Sequence, residues 1–196
     1  VGGHTARIMM EHGLTVVGIS DITGGLYNPK GLNIPDIWAH YKEAGRPLKD
    51  HRGGDWLTNE ELLQLPCTVL VPAALSEQIT EKNADRLRCR ILAEGANGPT
   101  TLEADRILAD KDVFVIPDIL ANSGGVIVSY FEWVQDTQRF FWKPKDIQER
   151  LHDIISSAFA RTLAQATARK TSMRMAALMS GIEKVAQAHL ERGLYP

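Results

Sequence analysis

Apolar and polar positions alternate along the chain in blocks that predict strands and helices taken in turn. Residues 5–12 are helical in spacing and stop at Gly13, and the apolar run over 14–20 reads as a strand ending in Asp21. Residues 23–31 are dense in turn formers, and 36–44 read as a short helix stopped by Gly45 and Pro47. Residues 46–57 are polar, carry no period and read as a surface excursion, after which Asn59 and Glu60 open another short helix. Residues 67–71 form a buried strand ending in Pro72-Ala73-Ala74, and 80–87 a helix. Residues 90–93 form a strand ending in Glu94-Gly95-Ala96-Asn97-Gly98-Pro99; 100–109 are a helix and 113–116 a strand. Past Pro117, a polar turn holding Gly124 and Gly125 leads into helical spacing that runs to Trp133. Ile147, Leu151, Ile154, Ile155, Ala158, Phe159 and Leu163 trace the apolar face of a long helix. Met175, Leu178, Met179, Ile182, Val185, Ala186 and Leu190 trace that of a second, ended by Gly193, with the methionines as gap-filling core.

Strands alternating with helices predict an α/β fold, a Rossmann-like doubly wound parallel sheet with helices on both faces, followed by long C-terminal helices. In that topology the four strand ends lie along one edge, where open α/β sheets bind ligands. The order helix, Gly13, strand, Asp21 matches the second half of a dinucleotide-binding βαβ unit, with Gly2 as the third glycine of its fingerprint. The first strand and the earlier glycines would then precede Val1, so residues 1–196 alone are expected to be poorly soluble and not to bind NAD. A carboxylate at Asp21 accepts a hydrogen bond from a ribose 2′-hydroxyl and repels a 2′-phosphate, which favours NAD over NADP. An acid after a strand is also commonly a solvated turn residue. Ala73 and Ala74 let a ligand approach the backbone, and Asn122, just past a strand end, can both donate and accept. Asn, Ser and Gly at that place serve equally as a turn and helix cap. The expected division is a dinucleotide-binding domain over 1–133 and helices over 134–196 that pack back on the sheet or toward a neighbouring domain.

With 44% hydrophobic and 23% charged residues among 196, the chain has the composition of a soluble globular domain. A formal net charge of −2 without a long single-sign run speaks against a nucleic-acid groove or a polybasic membrane patch. No apolar stretch reaches the roughly 20 residues of a membrane span, and the first residues lack a signal-peptide pattern, so the expectation is a cytoplasmic protein with neither partner. Cys67 and Cys89 form no C-x-x-C pair and read as small buried hydrophobes, and the six histidines lack metal-site spacing, so no metal is expected.

Four stretches together resemble the coenzyme-binding domain of glutamate dehydrogenases, within the Glu/Leu/Phe/Val dehydrogenase superfamily. They are Ser20-Asp21-Ile22-Thr23-Gly24-Gly25-Leu26-Tyr27-Asn28-Pro29-Lys30-Gly31, Val71-Pro72-Ala73-Ala74-Leu75, Glu94-Gly95-Ala96-Asn97-Gly98-Pro99-Thr100-Thr101, and Asn122-Ser123-Gly124-Gly125-Val126 followed by Ser129-Tyr130-Phe131-Glu132-Trp133. The resemblance covers essentially the whole chain, and the form of the last motif is similar to the glutamate enzymes rather than the leucine, valine or phenylalanine ones. It implies NAD-dependent oxidative deamination of L-glutamate to 2-oxoglutarate and ammonia. It also implies cofactor contacts from Gly2, Asp21, Ile22, Ala73, Ala74, Gly95, Asn97 and Asn122, and substrate contacts from Val126 and Ser129. Asn97 and Asn122 would hold the nicotinamide ribose and carboxamide, and Ser129 the side-chain carboxylate of glutamate. Ser129 could equally bond back to its own helix. Thr68 stands where an acid is common and Ser123 where an alanine is common. No catalytic residue is assigned to this chain, because in such enzymes the catalytic lysine and aspartate come from a preceding domain, and the assembly is typically a homo-hexamer. Two further readings are another amino-acid dehydrogenase and a non-catalytic regulatory subunit.

Overall fold

The computed structural model describes residues 1–193, in two compact units, Val1–Val113 and the chain from Phe114 onward. In the first unit, α1 (Gly2–Glu11) begins three residues earlier than the periodicity suggests. Gly13, at φ +81°, ends it, as a residue without Cβ does at low cost. β1 (Gly18–Asp21) is shorter than expected, although residues 16 and 17 still bond across to the chain beyond it: Leu32 N–H donates to Val16 O at 2.8 Å and Asn28 N–H to Val17 O at 2.9 Å.

The stretch read as turns is itself a strand. β2 (Gly24–Tyr27) pairs antiparallel with β1, with Asp21 opposite Gly24, and β3 (Asp55–Leu57), inside the expected surface excursion, pairs antiparallel with β2. Glycine serves here for close approach rather than for a turn. A Cβ on Gly24 would lie 2.7 Å from Leu57 O and from the Trp56 ring, and one on Gly25 would lie 2.7 Å from the Leu62 side chain. The first predicted strand therefore finds its partner in an antiparallel hairpin. Leu26, Leu32, Ile34, Ile37 and Leu48 form the core under it, with Ala6 of α1 and the partly buried Met10, Val16 and Ile19.

Asn33 caps α2 (Ile34–Trp38) by accepting from Asp36 N–H, and one wider turn over residues 39–43 continues it to Gly45. Thr58 and Glu61 form a reciprocal capping box on α3 (Asn59–Leu63). Thr58 holds the Glu61 carboxyl below its ordinary pKa, through the backbone N–H first and the hydroxyl second. β4 (Cys67–Leu70) and β5 (Cys89–Ala93) pair parallel, in the register Cys67 to Cys89 and Val69 to Ile91. The expected helix over 80–87 is reduced to one 3₁₀ turn over residues 84–86, before which the Asn83 side chain accepts from Thr80 N–H at 2.9 Å and donates to Gln78 O at 2.9 Å. Thr101 caps α4 (Leu102–Asp110), whose Ala104 and Leu108 are fully buried.

The second unit opens with β6 (Phe114–Ile116) and the short α5 (Asp118–Ala121). Gly124 and Gly125, expected in a turn, form the first turn of α6 (Gly124–Gln138). Gln135 is buried with both ends of its amide paired: its Nε2 donates to Phe131 O at 3.1 Å and its Oε1 accepts from Trp142 N–H at 2.7 Å. Arg150 stacks over the Trp142 ring, which meets Phe131 edge-on. The long α7 (Pro144–Arg169) and α8 (Met173–Arg192) pack together around Leu120, Ala166, Met173 and Ala176. α8 joins that core through Met173 and Ala176, on the side of the helix away from the predicted apolar face, whose Leu178 is exposed. Met175 is half exposed, and Ile182, Val185 and Leu190 face outward, since nothing among the described residues of the unit covers that end. No helix among the described residues is long and apolar enough to cross a membrane.

Candidate functional site

Strand ends and one helix start converge in the first unit. A Cβ on Gly2 would lie 3.5 Å from Ala73 Cβ, and one on Gly95 would lie 3.2 Å from Ala73 Cβ and 3.4 Å from Val1 Cγ1. Ala73 therefore lies against two other expected cofactor residues, Gly2 and Gly95, neither of which has a side chain. Ala96 N–H, donating to Pro72 O at 2.9 Å, ties the loops after β4 and β5 together. Gly2 begins α1, which Val1 precedes without a side-chain cap, so the helix start presents backbone N–H groups and the positive end of its dipole. Ala74 and Asn97 lie exposed on the same two loops, Asn97 three residues past the fully buried Glu94.

Asp21 is the last residue of β1 and is partly buried. Its Oδ1 accepts twice from Thr23, from the backbone N–H at 2.8 Å and from the hydroxyl at 2.6 Å. Asn59 Nδ2 donates to the Asp21 carbonyl at 3.0 Å. These bonds close a hairpin whose two loop residues, Ile22 and Thr23, both avoid positive φ. The favoured two-residue hairpin turns need positive φ, so the Asp21 side chain stabilises a less favoured one. Ile22 is 89% exposed at its tip. The sequence reading placed Thr23 in a turn and Asn59 at a helix start but missed both as partners of Asp21, although Asp-x-Thr at a strand end is the spacing of such a side-chain turn.

In the second unit, Asn122 ends α5, and the Ser123 hydroxyl donates to Leu120 O at 2.9 Å. Val126 and Ser129, three residues apart, share a face of α6, and both are exposed. The Ser129 hydroxyl donates to Gly125 O at 3.1 Å, the back-bond expected of a mid-helix serine. Across β4 and β5, Cys67 and Cys89 are register partners, the first partly and the second fully buried. Burial, with Cys89 alongside, pushes the Cys67 thiol up to about 11, and burial also raises that of Cys89. Among the described residues no group of three or more His, Cys, Asp or Glu could hold a metal ion.

A parallel β4–β5 pair with small-residue loops at its carboxyl end, beside a helix start, is the arrangement of a Rossmann-type α/β domain. The solved structures agree. The chain superposes on the leucine-bound hetero-hexameric glutamate dehydrogenase of Thermus thermophilus with a TM-score of 0.91 at 32% identity, covering 100% of this chain and 46% of that one. With glutamate dehydrogenase of Peptoniphilus asaccharolyticus the TM-score is 0.84 at 29% identity, over 100% of this chain and 45% of that one. The family model described as Glutamate/Leucine/Phenylalanine/Valine dehydrogenase matches residues 1–193, and the chain belongs to that family. It is 46% identical, over 98% of its length, to the cryptic catabolic NAD-specific glutamate dehydrogenase GudB of Bacillus subtilis, and 45% identical, over 96%, to glutamate dehydrogenase of Thermotoga maritima. It spans 44% and 45% of those two proteins.

Proposed function

We propose that this chain is the coenzyme-binding part of an NAD-dependent glutamate dehydrogenase, which oxidatively deaminates L-glutamate to 2-oxoglutarate and ammonia. The observation that carries it is the meeting of Gly2, Ala73 and Gly95 at one edge, where a side chain on Gly95 would crowd Ala73 and one on Gly2 would touch it. Such a cradle suits a pyrophosphate, which the start of α1 would hold by its N–H groups. The Asp21 carboxylate, with Ile22 exposed beside it, suits an adenosine ribose. Bound NAD would supply the hydride acceptor, with Asn97 of the first unit serving its nicotinamide end; in the second unit the family resemblance gives Asn122 a coenzyme role and Val126 and Ser129 a role toward the substrate side chain. Two relatives in Bacillus subtilis are named NAD-specific, in line with the acid at Asp21. The catalytic lysine and aspartate are expected outside these residues, and a homo-hexameric assembly accords with the family resemblance. A second reading, a non-catalytic subunit beside a catalytic one, draws support from the hetero-hexameric assembly of the Thermus thermophilus neighbour.

The test is glutamate-dependent reduction of NAD and of NADP by the intact polypeptide, wild type and Asp21→Ser. NAD is expected to be the better coenzyme, with the preference relaxed in the variant. A wild-type protein that binds NADP more tightly and turns it over faster overturns the coenzyme assignment, and absence of turnover with either favours the regulatory subunit.

A further inference from the structure

We infer that Thr23 is a positioning residue that sets the coenzyme preference by pinning the Asp21 carboxylate. The inference rests on Asp21 being the ribose acid. A surface aspartate ordinarily samples several rotamers, and one that swings aside neither greets a 2′-hydroxyl in a prepared geometry nor keeps its charge against a 2′-phosphate. Here it is held. Both Thr23 donors fall on Oδ1, at 2.8 and 2.6 Å, and Asn59 anchors the carbonyl of the same residue at 3.0 Å. Oδ1 is thereby occupied by two donors, and Oδ2 is the oxygen that meets a ligand. A 2′-hydroxyl donates to Oδ2 without first ordering the side chain. A 2′-phosphate meets a carboxylate that cannot turn away without giving up both Thr23 bonds.

Position 23 itself need not touch the coenzyme. Thr23→Val keeps the branched shape and the backbone donor, and removes the hydroxyl donor alone. Thr23→Ser keeps both donors.

Dissociation constants for NAD and NADP, with kcat at saturating coenzyme, are measured on the intact polypeptide for wild type, Thr23→Val, Thr23→Ser and Asp21→Ser, alongside each variant's thermal midpoint. Ordering one side chain on each binding event corresponds to roughly a 3- to 10-fold weaker NAD affinity in Thr23→Val. The expected pattern is that loss with NADP affinity unchanged or improved, kcat near wild type, and the preference restored in Thr23→Ser. A plain structural role would weaken both coenzymes together and lower the midpoint, and that result overturns the inference. So does tighter NAD binding by Thr23→Val, which would mean that a freed carboxylate grips the ribose better with both oxygens. If Asp21→Ser shifts the preference while Thr23→Val does not, the positioning role fails and the ribose acid stands. If Asp21→Ser leaves the preference unchanged, both fall.

Discussion

Ser129→Ala tests the substrate side of the proposal most directly. In the structure the Ser129 hydroxyl spends its one proton on Gly125 O, at 3.1 Å, one turn back in α6. A carboxylate can only accept, so a glutamate side chain held by Ser129 must take that proton away from Gly125. A hydrogen bond to a charged group is worth about 1.5–3 kcal/mol and the neutral bond given up about 0.5–1.5 kcal/mol, which leaves about 1.2 kcal/mol of net stabilisation at the middle of the two ranges. The variant should therefore lose roughly 8-fold in kcat/KM for glutamate. Alanine is a better helix former than serine and position 129 is exposed, so the thermal midpoint should stay level or rise slightly. Steady-state kinetics of the intact polypeptide, with glutamate and NAD varied separately, supply the measurement. Wild-type kcat/KM for glutamate would mean that Ser129 serves its own helix and nothing else. An equal loss in the NAD KM would mean that the residue props α6 rather than meeting substrate.

Two further outcomes concern stability. Gly24→Ala meets both a φ of +144° and a backbone oxygen, Leu57 O, 2.7 Å from the new Cβ; neither yields without disturbing β2 and β3. The cost should be roughly 2–5 kcal/mol, and an unchanged thermal midpoint would refute it. Cys67 favours its neutral thiol in the folded state, so its contribution is complete below the ordinary thiol value and is lost as pH rises toward about 11. Over that alkaline window the wild-type midpoint should fall more steeply than that of Cys67→Ala, and parallel curves would refute the assignment.

The strand ends were legible because compact apolar runs stop abruptly at small residues: β4 and β5 lie within the expected runs or one residue outside them, and Pro72-Ala73 and Glu94-Gly95 follow as loops. The hairpin was not legible. Gly24 and Gly25 signal a turn by composition, and only the Trp56, Leu57 and Leu62 atoms beside them reveal strand glycines chosen for close packing. β3, at three residues and with Trp56 partly exposed, is too short to show a period. Helical spacing identified α8 but not what covers it, since a periodic stripe records which side is apolar and carries no information about a partner. The candidate site was legible as residue types at strand ends. The Thr23 bonds to Asp21 were not, because they depend on which rotamer the hairpin imposes.

The corner between α7 and α8 has a mechanical consequence. Only residues 170–172 join the two helices: Lys170 takes the left-handed conformation at φ 51°, Thr171 N–H bonds back to Ala166 O at 3.0 Å, and Ser172 caps α8 by accepting from Met175 N–H at 3.2 Å. Arg169 also reaches Glu183 at 3.0 Å and the Ser180 hydroxyl meets Gln165, so the end of α7 is braced against α8 as well as joined to it at the corner. A helix of 26 residues is about 39 Å long. Braced in this way, the pair is a stiff lever, and a tilt of about 5° at Pro144 would carry the far end of α7 through about 3 Å, the width of a single hydrogen bond.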